Sequence, residues 1–73
     1  MSIIKLPQIS GKEMGRALER LDFTLKSRKG SHMKYVNNGK IIIVPDHKIL
    51  KKGTLHSILR QLNLNIDRFR DLL

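Results

Sequence analysis

The chain has 73 residues, with 15 Lys and Arg against 6 Asp and Glu, a formal charge of +9. It has no cysteine, which excludes a disulfide framework and any thiolate metal site. The longest apolar run, Ile41-Ile42-Ile43-Val44, is far too short to cross a membrane.

This length allows one compact domain, expected to take in all of 1–73. The absence of cysteine fits a reducing compartment, so a cytoplasmic location is expected. No signal peptide is expected either, because the start of the chain lacks a long apolar core behind a basic flank. The positive field attracts polyanions, of which nucleic acid is the commonest in a cell. A merely solvated surface and an acidic protein partner are the competing readings.

The opening "MSIIKLPQI" reads as an extended arm ending near Pro7. "SGKE" follows, a capping box in which Ser10 and Glu13 satisfy each other's backbone N–H groups. Met14, Ala17, Leu18 and Leu21 then recur at i, i+3, i+4 and i+7, one face of a helix ending near Asp22. Gly15 costs that helix stability and marks a close approach of another element.

"FTLKS" alternates, with Phe23 and Leu25 on one side and Thr24 and Lys26 on the other. "SHMKYVN" alternates again, and "KIIIV" returns after Asn38-Gly39, the dipeptide of a type I′ hairpin turn. A two-residue loop pairs Val36 with Ile41, Tyr35 with Ile42, Lys34 with Ile43 and Met33 with Val44. Residues directly opposite share a face. Met33, Tyr35, Ile42 and Val44 therefore line one face, which Phe23 and Leu25 can join. His32, Lys34, Val36, Ile41 and Ile43 line the other.

Pro45 stops the sheet, and "DHKILKKG" reads as a basic loop. "TLHSILRQLNL" sets Leu55, Ile58, Leu59 and Leu62 at helical spacing. A short final helix begins at Asn65 as its cap and offers Ile66, Phe69 and Leu73 to the core. The expected fold is α+β: a two-layer sandwich with helices on one face of a three-stranded antiparallel sheet. The face of His32 is left open. Its aliphatic residues, set among cations, suit a surface that another protein covers, although β-branched residues favour strands whichever way they point.

Of the three histidines, His56 reads as an ordinary helix residue, and His47 as either a phosphate contact or a loop cap. His32 differs. It starts a strand on the open face, behind Gly30, with Lys26, Arg28, Lys29 and Lys34 near it. Such a cluster suits phosphodiester cleavage in RNA, where the ribose 2′-hydroxyl is a built-in nucleophile. The reaction needs a proton carrier and cations for the phosphate oxygens. Histidine serves the first need, and Gly30 leaves room for a backbone N–H to approach a phosphate. Metal-dependent hydrolysis fits poorly, because the six acids are scattered and Asp46 and His47, as neighbours, point apart. Serine catalysis lacks a third partner for Ser31 and His32. Walker and Rossmann glycine patterns are missing. One tyrosine and two phenylalanines, all assigned to the core, leave no stacking platform for bases.

"KGSHMKY" together with "VPDHKILKKGTLHSILRQLNL" resembles the HicA toxins of bacterial and archaeal toxin–antitoxin pairs. The likeness runs over roughly residues 6 to 70, with "ISGKEMGRALERLDF" similar to the family's first helix. The resemblance implies the α-β-β-β-α fold of double-stranded-RNA-binding domains and ribonuclease activity on messenger RNA. It makes His32 of "GSH" the catalytic residue, with Gly30 and Ser31 as backbone support. It also implies a HicB-type antitoxin that covers the site, and no metal or small-molecule cofactor. Lys26, Arg28, Lys29 and Lys34 are assigned to RNA from charge and position alone. A non-catalytic module for double-stranded RNA and a basic adaptor for an acidic protein are the alternatives. A single histidine does not act as base and acid at once, so a second proton carrier is left open.

Overall fold

A computed structural model describes residues 6–73; the first part of the expected extended arm lies outside them. The elements follow in the order α1 (Gly11–Arg20), β1 (Thr24–Lys29), β2 (His32–Asn37), β3 (Lys40–Pro45), α2 (Lys52–Leu62) and α3 (Ile66–Arg70). The strands form one antiparallel sheet in the order β1-β2-β3. This is the expected α-β-β-β-α arrangement, with α3 as a tail. Among the described residues, no helix is long and apolar enough to cross a membrane.

The capping box forms as read: the Ser10 N–H donates to Glu13 Oε1 and the Glu13 N–H to Ser10 Oγ, both at 3.0 Å. The helix buries Met14, Ala17 and Leu18, and with them two glycines, Gly11 and Gly15. Those glycines lie four residues apart, on one face of the helix. A Cβ on Gly15 would overlap the Tyr35 hydroxyl, so the close approach expected there is real. At Gly11 a Cβ would overlap the Pro45 carbonyl oxygen and lie 2.9 Å from the Asp46 Cα. Backbone yields less readily than a side-chain tip. Gly11→Ala is therefore expected to destabilise by about 3 kcal/mol, the upper end of overpacking; a wild-type urea midpoint would contradict this.

The helix ends at Arg20, with its closing residues reaching Asp22, near where the spacing placed the end. Asp22 turns left-handed (φ 67°), its N–H donating to Glu19 O at 3.0 Å and that of Phe23 to Leu18 O at 2.9 Å. That double closure is a Schellman stop, and it delivers Phe23 to the core. The β2–β3 register is the one expected, and Asn38 (φ 48°) and Gly39 (φ 81°) both take positive φ.

Two expectations for the core need correction. Leu25 lies opposite Tyr35, on the helix side, yet is 45% exposed. It sits on β1, an edge strand with all six residues exposed, which the helices do not fully cover. Leu73 is likewise exposed, and Leu72 packs in its stead. Helix α2 begins two residues before Thr54, holds Leu55, Ile58, Leu59 and Leu62 as spaced, and closes at Asn63 (φ 56°), where the Leu64 N–H turns back to Leu59 O at 3.0 Å.

The basic loop is anchored. The Leu50 N–H donates to Ile9 O at 2.8 Å, and both side chains are buried. All three aromatic residues, Phe23, Tyr35 and Phe69, are in the core, as assigned.

Tyr35 links packing to pH. Burial foremost, and then the carboxylates of Glu19 and Asp46, push its phenol above its ordinary value. The folded chain thus holds the phenol proton more tightly than the unfolded chain. That stabilisation is complete below about pH 10, the unfolded value, and is lost as pH rises through the folded one. The melting temperature is expected to fall above that point, and Tyr35→Phe to flatten the fall; parallel slopes for the two chains would contradict it.

Candidate functional site

The site is built at the β1–β2 hairpin. Lys29 and His32 face each other across a two-residue turn of Gly30 and Ser31. Gly30 takes φ 59°, the conformation a type II′ turn demands of its first central residue, and one that glycine adopts without strain.

Toward the other end, β1 carries an irregularity. Leu25 pairs with Tyr35, but Ser27, not Lys26, pairs with Lys34. One extra residue in one strand shifts every later side chain to the opposite face. Strict alternation from Thr24 would send Lys26 and Arg28 to the face of His32. The bulge leaves Lys26 on that face, adds Ser27 beside it and brings Lys29 there in place of Arg28. Arg28 instead lies opposite the buried Met33, on the register of the helix side.

The outcome is a shallow depression on the open face, lined by Ser27, Lys29, His32, Lys34 and Ile43. A second depression adjoins it through Lys34 and includes Lys26, Val36 and Ile41. His32 is exposed and not packed beneath the helices. Ile41 (49% exposed) and Ile43 (46% exposed) are among the most exposed large apolar residues described. The face is therefore both cationic and apolar.

Of the residues singled out from sequence, Lys29, His32 and Lys34 come together in one depression and Lys26 lines its neighbour. Gly30 and Ser31 form the turn. Arg28 has a different environment: its Nη2 lies 2.7 Å from Asp46 Oδ2, and its Nε donates to the Gly30 carbonyl at 3.1 Å. His47 is exposed, and its carbonyl accepts the Gly11 N–H at 2.8 Å. His56 is exposed on α2, beside a groove that Leu6, Ile49 and Lys52 also line. Among the described residues, no three His, Cys, Asp or Glu side chains gather at one point.

Sequence reasoning missed Ser27 and the part played by Asp46. The bulge that turns Ser27 outward has no glycine or proline to announce it. Asp46 is separated from the turn by two whole strands, and no local pattern connects them.

The fold and this face define a small, basic α+β protein with a histidine between lysines on an uncovered sheet. A family model described as HicA toxin of bacterial toxin–antitoxin matches residues 11–64, and the chain belongs to that family. The match takes in α1, the whole sheet and α2, and stops short of α3. It bears out the resemblance drawn from "GSH" and the later segment. As a toxin of a toxin–antitoxin system, the chain has an antitoxin as its partner. No curated protein matches it.

Proposed function

We propose that the chain is a metal-independent endoribonuclease of the cytoplasm that cuts messenger RNA, with His32 as its proton carrier. The observation that supports this reading is the exposed His32 between Lys29 and Lys34 on the open sheet face of a HicA-family chain.

The chemistry follows from the groups present. The ribose 2′-oxygen attacks the adjacent phosphorus, and the bond to the 5′-oxygen of the next nucleotide breaks. A proton must leave the 2′-hydroxyl and another must reach the departing 5′-oxygen. His32 handles one of these transfers; a lysine, a water or an RNA group handles the second. Negative charge builds on the non-bridging oxygens, and Lys29 and Lys34 stabilise it from either side of the imidazole. Lys26 extends the cationic track along the strand, and the backbone of Gly30 and Ser31 offers N–H groups that no bulky side chain obstructs. Products would carry a 2′,3′-cyclic phosphate and a 5′-hydroxyl.

The exposed Ile41 and Ile43, with the half-buried Val36 beside them, call for a cover in the silenced state. A HicB-type antitoxin seated on this face supplies it, with acidic groups against the lysines. The test is digestion of single-stranded messenger RNA in excess chelator, together with expression of the chain alone in cells. Cleavage with cyclic-phosphate ends, and growth arrest relieved by a small protein encoded alongside, support the reading. Retention of intact duplex RNA, without cleavage of any RNA, would favour the non-catalytic module.

A further inference from the structure

The turn that presents His32 is tied to the rest of the molecule by Asp46. The Asp46 backbone N–H donates to the Ser31 carbonyl at 2.6 Å. Its carboxylate takes the Arg28 guanidinium at 2.7 Å, and Arg28 reaches across to the Gly30 carbonyl at 3.1 Å. These three contacts form a closed ring around the turn, holding the carbonyls of both its central residues.

Asp46 is itself well seated. Gly11 presses against it, with room for no Cβ, and the next carbonyl, that of His47, accepts the Gly11 N–H at 2.8 Å. The Asp46 side chain is 14% exposed, against 50% for Arg28. A sheltered carboxylate is screened less by solvent than one on an open surface.

The turn needs such a tie. It joins an exposed edge strand to the central strand, and Gly30 has nothing within 4 Å of where a Cβ would be. Hairpin tips with so few packing contacts open locally at little cost.

We propose that Asp46 and Arg28 are positioning residues for His32, their ion pair fixing the Gly30–Ser31 turn so that the imidazole stands between Lys29 and Lys34. The inference rests on the reading of His32 as the proton carrier. Neither residue touches the RNA. The pair is close to neutral, so Arg28 adds little to the field that Lys29 and Lys34 present to phosphate. Misplacing a reacting group by about 1 Å costs on the order of 10²-fold in rate.

The experiment measures kcat and KM for RNA cleavage by Asp46→Asn, Arg28→Gln and the exchanged pair Arg28→Asp with Asp46→Arg, with His32→Gln in parallel. Amide hydrogen exchange at Gly30, Ser31 and His32 is followed in each. Both single variants are expected to lose roughly 10- to 100-fold in kcat, with KM unchanged or lower. KM falls in Asp46→Asn because Arg28 is freed to attract RNA. Exchange at the turn quickens, and the exchanged pair recovers at least part of the rate. Single variants within twofold of wild-type kcat would overturn the proposal. So would a loss confined to KM, which would make Arg28 an RNA contact, or an exchanged pair no better than the singles. Arg28→Gln, at a half-exposed side chain, keeps the test available if Asp46→Asn unfolds. An active His32→Gln overturns the reading of His32 and this inference with it. An inactive His32→Gln beside a fully active Asp46→Asn overturns this inference alone.

Discussion

His32→Gln is expected to leave the melting temperature within a few degrees of wild type and to lower RNA cleavage by about 10²- to 10⁴-fold. That range is what a positioned proton carrier contributes. Glutamine keeps the approximate size and the hydrogen-bonding capacity of the side chain but has no nitrogen that takes up and releases a proton near neutral pH. The fold is expected to be indifferent because the ring is exposed and belongs to no core contact. Surface changes of this kind usually stay within about 0.5 kcal/mol. Initial rates on single-stranded messenger RNA in chelator, with circular dichroism on the same samples, check both halves. Undiminished cleavage would remove His32 from the chemistry.

Phe69→Ala is the change expected to cost the most stability. Phe69 is completely buried, although its helix has only five residues and lies beyond the segment that the family model matches. A helix that short does not hold itself together in water. It is kept in place by Asn65, whose Oδ1 accepts the Arg68 N–H at 2.9 Å, by the Arg20 guanidinium on the Leu72 carbonyl, and above all by Phe69. Truncating a buried phenylalanine costs about 3–5 kcal/mol. A chain of 73 residues has roughly 4–11 kcal/mol in all, at 0.05–0.15 kcal/mol per residue. The variant is therefore expected to lose from about a quarter to all of its stability and to unfold at a much lower urea concentration than wild type, while Phe69→Leu still folds and still cleaves RNA. A urea midpoint for Phe69→Ala near wild type would mean that α3 is no part of the cooperative unit.

Cationic edges also have a structural use. β1 is an edge strand carrying Lys26, Arg28 and Lys29, and such charges discourage strand-to-strand aggregation. The lysines proposed to meet RNA thus protect the free toxin from itself as well. Before an antitoxin arrives, the exposed Ile41 and Ile43 have no cover within the described chain.

Much of the fold was legible because its signals are local. The capping box of Ser10 and Glu13, the hairpin at Asn38-Gly39, the β2–β3 register and the cap at Asn65 each depend on residues close in sequence. Helix ends were legible only approximately, because Asp22 and Asn63 take left-handed conformations for which glycine is the usual marker. Of the site, the open face with His32, Lys34 and Ile43 followed from alternation alone. Lys29 reached that face only through the bulge.

The sequence by itself determined the order of elements, the two-sided character of the sheet and the strand start at which His32 stands. Periodicity and turn chemistry act over a few residues, and they leave few alternatives. Tertiary structure decided the rest: Gly11 and Gly15 bring α1 close to the sheet, the bulge exchanges Arg28 for Lys29 beside the histidine, and Asp46 closes on the turn from a segment two strands away. Those choices depend on which surfaces meet, and contact between distant segments leaves no periodic trace along the chain.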